Sequence, residues 1–306
     1  MSRQARTVWR RLDGIVLLDK PAGMSSNQAL QRARHLLRAD KGGHTGALDP
    51  LATGLLPLCF GEATKIAGHL LGARKAYETV ACLGVTTDTD DADGQPLRER
   101  AVPALDAAQI EAALVSLRGA ILQVPPIYSA LKRGGEPLYV RARRGESLQL
   151  EPRPVQVDRF DLSAIEGQRL RLRVECGSGT YVRSLVRDLG EALGCGAHVL
   201  ALRRLWVDPF RSPRMVGLDQ IEAEATQPAP EWLLPLEAGL VDFPRVELDA
   251  DQAAQVRRGQ RPAGFDALAA GAHAAIGPDG QPVALVERID GGLLASLRVF
   301  LPRENR

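Results

Sequence analysis

The sequence predicts an α+β fold with a mixed β-sheet flanked by helices, followed by a small β module at the C-terminus. Helical and strand-like segments alternate without the regular strand-helix-strand spacing of a doubly wound fold. Strict apolar alternation at Leu170, Leu172 and Val174 indicates a strand. Near the C-terminus, Asp-Gly pairs separate three short apolar runs, which is a hairpin signal. The 306 residues suffice for one large domain and a small one.

The first elements are a short buried strand and an amphipathic helix. The run "IVLL", residues 15–18, predicts the strand, and a Lys-Pro turn closes it. A polar residue at positions 25–27 can cap the helix that follows. The apolar positions of this helix share one face: Ala29, Leu30, Ala33, Leu36 and Leu37. The segment from there to Pro50 is predicted to be a loop.

The middle of the chain alternates between the two element types. Helical spacing is predicted for "EATKIAGHLLGA", residues 62–73, and a strand begins at Tyr77. Asp106 is placed to cap a helix over about 107–117.

Past the alternating strand, a glycine-rich turn, "GSGT", leads into a helix with four apolar residues inward. Those residues are Val182, Leu185, Val186 and Leu189, with Arg183 and Arg187 on the opposite face. A further strand follows at "HVLALRRLWV".

The composition changes near residues 222–232, at "EAEATQPAPEW", and the last 60 or so residues contain the three short strands. We therefore expect a main domain over residues 1–245 and a β module over residues 246–306. No internal repeat is visible.

Charge is unevenly distributed, although the formal net charge is only +2. Residues 1–45 hold nine Lys or Arg against three Asp, and two more arginine clusters lie at 141–144 and 203–214. Such stripes can bind a nucleic acid, although a solvated surface of the same composition is the plainer alternative.

The four cysteines form no C-x-x-C pair, so neither a zinc site nor a dithiol motif is indicated. No apolar run approaches the roughly 18 residues of a membrane span. We therefore expect a reduced, cytoplasmic protein without membrane attachment.

Asp49 is the main candidate for chemistry. It precedes Pro50, which favours an extended backbone, and the glycines around it allow a close approach of backbone to a ligand. An ordinary Asp-Pro turn is the alternative. A single carboxylate suits cleavage of a sugar–base bond, because a nucleobase can leave with its own negative charge and needs no second acid. Such an aspartate should be ionised, and a nearby arginine would favour that state.

Three further features are candidates for binding or catalysis. The acidic run "DTDDADG", residues 88–94, fails as an EF-hand, because its twelfth position would be Arg100 rather than glutamate. A solvated acidic turn is expected there. The "GSGT" turn can present backbone N–H groups to an anion, or Thr180 can simply cap the helix. His44, Tyr77 and Tyr181 can stack on bases, although packing roles are the alternative.

These motifs together resemble one family. "GHTGALDPLATGLLPLCFGEATK" is similar to the catalytic signature of the TruB type of pseudouridine synthase, the bacterial enzymes that isomerise the T-loop uridine at tRNA position 55. The segments "GIVLLDKPAGMSSN", "KAYETVACLGVTTDTDDADG", "VPPIYSALK" and "GSGTYVRSLVRDLGEALGCGAHVLALRRL" resemble further family segments in the family's order. The C-terminal module resembles a PUA-type RNA-binding domain.

The resemblance implies uridine-to-pseudouridine isomerisation without a cofactor or metal. The N-glycosidic bond breaks, the uracil rotates, and a carbon–carbon bond forms through C5. By matching position, Asp49 would be the catalytic aspartate and Arg183 would pair with it. Tyr77 would stack on the flipped base and is the candidate for removing the C5 proton.

Four other residues gain roles from the same resemblance. His44, Tyr181 and Leu202 would line the RNA or base pocket, and Lys20, together with Pro21, would support the catalytic loop. A thumb-like segment over about 125–150 is expected to contact RNA through Lys132, Arg133, Arg141, Arg143 and Arg144. The expected partner is the tRNA T-arm, with no guide RNA and no membrane, and we expect a monomer.

Two other classes of function are alternatives. An RNA-folding protein without catalysis would not need Asp49, Tyr77 and Arg183 together. A nucleoside glycosidase acting on small molecules would release free uracil, and it is disfavoured by the basic stripes and the terminal β module.

Overall fold

The structure is a computed structural model, and it describes residues 8–129, 131–144, 146, 150–227 and 230–301. The strands are β1 (Gly14–Lys20), β2 (Gly42–His44), β3 (Thr53–Phe60), β4 (Lys75–Leu83), β5 (Val85–Thr87), β6 (Pro96–Glu99), β7 (Gly119–Gln123), β8 (Lys132–Arg133), β9 (Glu136–Pro137), β10 (Arg153–Glu166), β11 (Arg169–Cys176), β12 (Ala197–Val207), β13 (Leu233–Leu234), β14 (Arg245–Glu247), β15 (Ala272–Ile276), β16 (Pro282–Ile289) and β17 (Leu293–Val299).

Helices connect these strands. They are α1 (Ser26–Leu36), α2 (Ala67–Leu70), α3 (Ala107–Val115), α4 (Leu138–Arg143), α5 (Val182–Ala192), α6 (Leu218–Glu224) and α7 (Ala250–Arg257). Short 3-10 turns occupy Gly61–Lys65, Leu236–Gly239 and Asp290–Gly292. Ser25, Asp106 and Asp249 cap α1, α3 and α7, and in each case a glutamine three residues later completes a capping box.

A central sheet organises the larger part of the chain. Its order is β13-β1-β3-β12-β4-β11-β10-β7, with β2 paired to β3. All its pairings are antiparallel except the short parallel contact between β3 and β12, where Thr53 lies opposite Arg203. The predicted α+β class with a mixed sheet is therefore confirmed.

Helices cover part of one sheet face and enclose an aliphatic core. Val182, Leu185, Val186 and Leu189 of α5 are buried there, as the sequence predicts. Arg183 is an exception to the predicted pattern, because it is only 4% exposed rather than lying on the outward face. Its burial is explained by its partners in the site described below.

A second apolar cluster joins the central sheet to the C-terminal strands. It contains Ile15 and Leu55 from the central sheet, together with Ile276, Leu285 and Phe300. Polar contacts reinforce the junction, because Lys65 Nζ donates to the Val299 carbonyl at 2.8 Å and the Leu301 N–H donates to Glu62 at 2.8 Å.

The C-terminal sheet has the order β14-β15-β16-β17. The three predicted strands are confirmed as β15, β16 and β17, with turns at Asp279-Gly280 and Asp290-Gly291. The sequence did not predict β14, a strand of three residues that pairs parallel to β15. The predicted boundary between residues 245 and 246 falls inside β14.

Other predicted elements differ in type or extent. The helix predicted for residues 62–73 is a 3-10 turn followed by the four-residue α2. The glycine at 61 has a φ of 53°, and two more glycines, at 68 and 72, weaken a continuous helix. The predicted loop before Pro50 includes β2, and the strand predicted from Tyr77 begins at Lys75. Between the loop and this helix, residues Thr53–Phe60 form the eight-residue strand β3.

No helix in the described ranges combines the length and the apolar character needed to cross a membrane.

Candidate active site

The loop between β2 and β3 holds Asp49 in place from both sides. The Ser26 hydroxyl, at the start of α1, accepts from the Leu48 N–H at 2.7 Å and donates to the Leu48 carbonyl at 3.0 Å. On the other side, the Gly23 N–H donates to the Pro50 carbonyl at 2.8 Å. The Asp49 side chain is 40% exposed, so a fixed carboxylate faces the pocket.

Arg183 pairs with Asp49 across 134 positions of sequence. Its Nε lies 2.9 Å from Asp49 Oδ2, and its Nη2 donates to Oδ1 at 3.2 Å. The guanidinium also donates to the carbonyls of Thr89 at 2.7 Å and Tyr128 at 2.8 Å. These contacts fix the arginine, and through it the orientation of the carboxylate.

The acidic run lies against this ion pair, so the predicted solvated turn is wrong for its central residue. Asp91 is 4% exposed, and its Oδ2 lies 3.7 Å from Arg183 Nε. The Thr89 hydroxyl donates to Asp91 Oδ1 at 2.5 Å, and Arg187 pairs with Asp90 at 2.9 Å. Arg183 is therefore shared by two carboxylates. Only the run's place in the resemblance hinted at this, because sequence spacing does not bring positions 91 and 183 together.

Desolvation at the cavity wall has the largest effect on the pKa of Asp49, although the side chain is 40% exposed. This desolvation raises the pKa of the carboxyl, and Asp91 raises it further, whereas Arg183 opposes both effects. The arginine lowers the pKa as the sequence suggested, but burial outweighs it. The carboxylate is thus a stronger base than an exposed aspartate.

Tyr77 lies on β4, and it is 7% exposed. Its Cα partners on the neighbouring strands are Val174 of β11 and Arg204 of β12. Burial raises the pKa of the phenol, and Arg204 opposes that shift.

One cavity of about 310 Å³ collects five of the seven predicted site residues. Those residues are Asp49, Tyr77, Tyr181, Arg183 and Leu202. The "GSGT" turn also lines the cavity, but Thr180 is not the helix cap, since the cap position of α5 is Tyr181. Tyr181 is held by Gln123, which accepts from its N–H at 2.9 Å and donates to its carbonyl at 3.1 Å.

The other two predicted residues lie beside the cavity rather than on its wall. Lys20 Nζ donates to the carbonyls of Pro21 at 2.7 Å, Met24 at 2.6 Å and Pro50 at 3.3 Å, so it links β1 to the Asp49 loop. Burial lowers the pKa of Lys20 to about 8, against the opposing effect of Asp49. His44 ends β2, and burial and then Arg204 lower the pKa of its imidazole.

A larger cavity of about 720 Å³ shares Leu202 with the first. It is also lined by Thr79, Asp93 and Arg203. The two cavities therefore adjoin at Leu202. Within the ranges described, no three His, Cys, Asp or Glu side chains converge as metal ligands.

The thumb-like segment contains the hairpin β8–β9 and the short helix α4. Arg141 pairs with Glu146 at 2.6 Å, and Arg144 pairs with Glu136 at 2.6 Å. The side chains of Lys132, Arg133 and Arg143 lie outside the described residues.

Three family profiles match successive parts of the chain. Residues 34–182 match "TruB family pseudouridylate synthase (N terminal domain)". Residues 183–241 match "tRNA pseudouridylate synthase B C-terminal domain", and residues 243–301 match "tRNA Pseudouridine synthase II, C terminal".

Curated relatives are similar over nearly the whole chain. The tRNA pseudouridine synthase B of Xanthomonas axonopodis pv. citri (strain 306) is 60% identical over 297 residues, covering 96% of each chain. The protein of the same name from Xylella fastidiosa (strain Temecula1 / ATCC 700964) is 57% identical over 298 residues, covering 97% of this chain and 98% of the relative.

Among solved structures, a chain of a Cbf5-Nop10-Gar1 complex matches with a TM-score of 0.73 and 25% identity. The match covers 95% of this chain and 85% of that one. A chain of an H/ACA RNP bound to a substrate RNA containing 2'-deoxyuridine has a TM-score of 0.72 at 24% identity, over 95% and 86% of the two chains. The second likeness shows a shared fold.

Proposed function

This chain belongs to the TruB family of pseudouridylate synthases, and on that premise we propose that it isomerises the T-loop uridine at position 55 of tRNA to pseudouridine. Asp49 is the catalytic aspartate in this proposal. The observation that carries it is the 2.9 Å ion pair between Asp49 and Arg183 at the wall of a cavity that also contains Tyr77.

The arrangement suits cleavage of a bond between a sugar and a base that leaves as an anion. One carboxylate faces the cavity, while Asp91 lies behind Arg183 and is 4% exposed. The pair of exposed acids of an ordinary glycosidase is therefore not formed by these two residues. An ionised Asp49 can stabilise or trap the developing sugar cation, and the detached uracil keeps its electron pair until C5 attacks C1'.

The surrounding residues have supporting roles in this proposal. Tyr77 stacks on the flipped uracil and accepts the C5 proton, and Arg183 orients Asp49. Tyr181 and Leu202 line the base pocket, His44 contacts RNA beside it, and Lys20 supports the loop. The three carbonyl contacts of Lys20 favour that last role.

The target nucleotide must leave its stack to reach Asp49. A cavity of about 310 Å³ has room for one nucleotide base and sugar rather than a duplex. Flipping costs roughly a few kcal/mol, which stacking on aromatic side chains and phosphate contacts can offset. The larger cavity beyond Leu202 is placed to accept neighbouring nucleotides.

The proposed partner is the tRNA T-arm, recognised without a guide RNA by a monomeric, cytoplasmic enzyme that needs no cofactor. The C-terminal β module is proposed to be a PUA-like RNA-binding domain over residues 246–306. The thumb-like segment over about 125–150 is proposed to contact the RNA backbone through its exposed arginines, of which the Arg144 side chain is 52% exposed.

Location of the product tests the proposal. Unmodified tRNA would be incubated with the protein, cleaved by nuclease, and its fragments analysed for pseudouridine by chemical derivatisation and mass spectrometry. We expect one modified position in the T-loop, and no product when that uridine is replaced by cytidine. Product elsewhere in the tRNA would overturn the assigned position, and release of free uracil would favour a glycosidase.

A further inference from the structure

Arg204 is a fully buried arginine directly beneath the proposed active site. It is 0% exposed and lies in the interior of β12. Its Nε donates to the Leu55 carbonyl at 2.6 Å, and its Nη2 donates to the Gly46 carbonyl at 3.2 Å. In the part of the chain that the structure describes, no carboxylate lies within ion-pair distance of it. A buried charge with neutral partners only is expensive, so a role for its positive charge is worth seeking.

Register places this charge beside the phenol of Tyr77. Arg204 and Tyr77 are Cα partners across the antiparallel β12–β4 pair, so their side chains point to the same face of the sheet. Both residues line the 310 Å³ cavity, so the guanidinium and the phenol lie at the same end of it.

The electrostatic surroundings of the two residues also favour a role for the positive charge of Arg204. Around Tyr77, Arg204 favours the phenolate, whereas burial, Cys176 and Asp49 favour the phenol. Around Arg204, the neighbouring charged or titratable groups are Lys20, His44 and Lys75, and the arginine disfavours the cationic form of each. The positive potential at this end of the cavity is therefore complementary to a negative charge that forms during the reaction.

On the basis of the proposed function, we propose that Arg204 is a positioning residue that holds Tyr77 as the acceptor of the uracil C5 proton. It acts through the Tyr77 hydroxyl, because its own side chain is buried. A purely structural role is the competing explanation, since the Gly46 carbonyl belongs to the loop that carries Asp49.

The step is balanced without any co-reactant other than water. After C5 has bonded to C1', C5 carries one hydrogen and the ring has a C6=N1 double bond. The C5–H bond breaks, its electron pair forms the C5=C6 double bond, and the proton passes to the phenolate oxygen of Tyr77. The C6=N1 π pair moves to N1, which takes a proton from water, and the phenol later loses its proton to water.

A substrate that cannot lose a C5 proton separates the two explanations. In tRNA with 5-fluorouridine at the target, glycosidic cleavage and C–C bond formation remain available, but the last proton transfer is blocked. Single-turnover rates on uridine and 5-fluorouridine tRNA would be measured for the full chain and for Arg204→Gln. We expect a loss of about 10- to 100-fold on uridine and a change within about threefold on 5-fluorouridine.

Two further variants complete the experiment. Arg204→Lys keeps the positive charge, so its single-turnover rate on uridine tRNA should fall less than that of Arg204→Gln. If Arg204→Gln does not fold, the rates of Arg204→Lys on the two substrates decide between the explanations. Arg203→Gln alters the adjacent residue, which pairs with Asp19 at 2.8 Å, and should change both rates equally.

Equal losses on both substrates would overturn the proposal and place Arg204 among residues that support Asp49. No loss on either substrate would overturn it as well. A wild-type protein inactive on both tRNAs would instead contradict the proposed function itself.

Discussion

Asp49 and Arg183 illustrate how much of this site depends on two side chains far apart in sequence. The carboxylate is fixed by Ser26 on one side of its loop, and the guanidinium by two backbone carbonyls. Asp91 adds a second negative charge to the same guanidinium. The pKa of Asp49 therefore results from competition between burial, one cation and a neighbouring anion.

Replacing Asp91 with asparagine should shift the acid limb of the pH–rate profile to lower pH. Asp91 raises the pKa of Asp49, so removing its charge lowers that pKa. If Asp49 works as the carboxylate, activity is lost as pH falls through its pKa, and the loss then occurs at lower pH. The maximal rate should also fall, because Arg183 loses an anchor. Single-turnover rates between about pH 5 and 8 measure both effects.

Asp93→Asn is the matched control, because Asp93 raises the pKa of Asp49 less than Asp91 does. Its acid limb should move less. An acid limb that stays in place or moves to higher pH in Asp91→Asn would contradict the electrostatic explanation.

At the residue scale, the sequence predicted the candidates but not all of their surroundings. Asp49 followed from an Asp-Pro step among glycines, and the pairing with Arg183 from the family resemblance. The buried positions of Asp91 and Arg204 were not predicted. A charged side chain in a strand or turn is normally taken as exposed, and only the pairing of distant segments showed otherwise.

At the scale of elements, the close contact of β3 with β12 shapes the floor of the site. Gly54 has a φ of 92° and lies opposite Arg204 in the parallel pair. A Cβ there would lie 2.2 Å from the Arg204 carbonyl oxygen, which is a backbone atom that cannot rotate away. The strand needs glycine at this point because two backbones approach each other.

Gly54→Ala should therefore destabilise the protein and reduce turnover by displacing β12. Gly23→Ala is the matched control, since Gly23 has a φ of 76° but a Cβ added there would meet nothing within 4 Å. The free energy of unfolding of the control should fall by only about 1–2 kcal/mol, because of backbone strain at residue 23. Chemical denaturation and turnover would be measured for both, and equal effects would contradict the packing explanation.

Elements with strong periodicity were predicted well, and elements specified by distant pairing were not. The helix α5 and the strand β11 follow apolar patterns visible in the sequence. The helix predicted for 62–73 was interrupted by glycines, and β2 is three residues that become a strand only by pairing with β3. Local pattern carries little information about such short edge elements.

At the scale of the whole molecule, the C-terminal sheet and the central sheet share an apolar cluster. Phe300, which is 2% exposed, packs in the cluster that contains Ile15 and Leu55. Leu294, which is 0% exposed, belongs to a cluster formed within the C-terminal part alone. The first cluster therefore couples the two parts of the chain.

Phe300→Ala should destabilise the protein by about 3–5 kcal/mol and increase amide hydrogen exchange in β1 and β3 as well as in β17. Leu294→Ala should lower the free energy of unfolding by about 2–5 kcal/mol. The increase in amide hydrogen exchange should be concentrated in residues 245–301. Exchange measured by mass spectrometry would distinguish the two. If Phe300→Ala left β1 and β3 unchanged, the coupling through this cluster would be refuted.

The sequence predicted a main α+β part and a terminal β module but not how they join. Composition and Asp-Gly turns identify the module, whereas the shared cluster requires apolar residues from positions 15 to 300 to meet. A composition change marks a difference in local structure and does not reveal which faces are buried together.

Release of tritium from tRNA labelled at uracil C5 tests the central claim most directly. Isomerisation must break the C5–H bond. The wild-type protein should therefore release an amount of tritium equal to that carried by the T-loop target uridine. Asp49→Asn should retain tRNA binding but release tritium at least about 10³-fold more slowly. Absence of release by the wild-type protein would contradict the proposed reaction, and full-rate release by Asp49→Asn would contradict the role of Asp49.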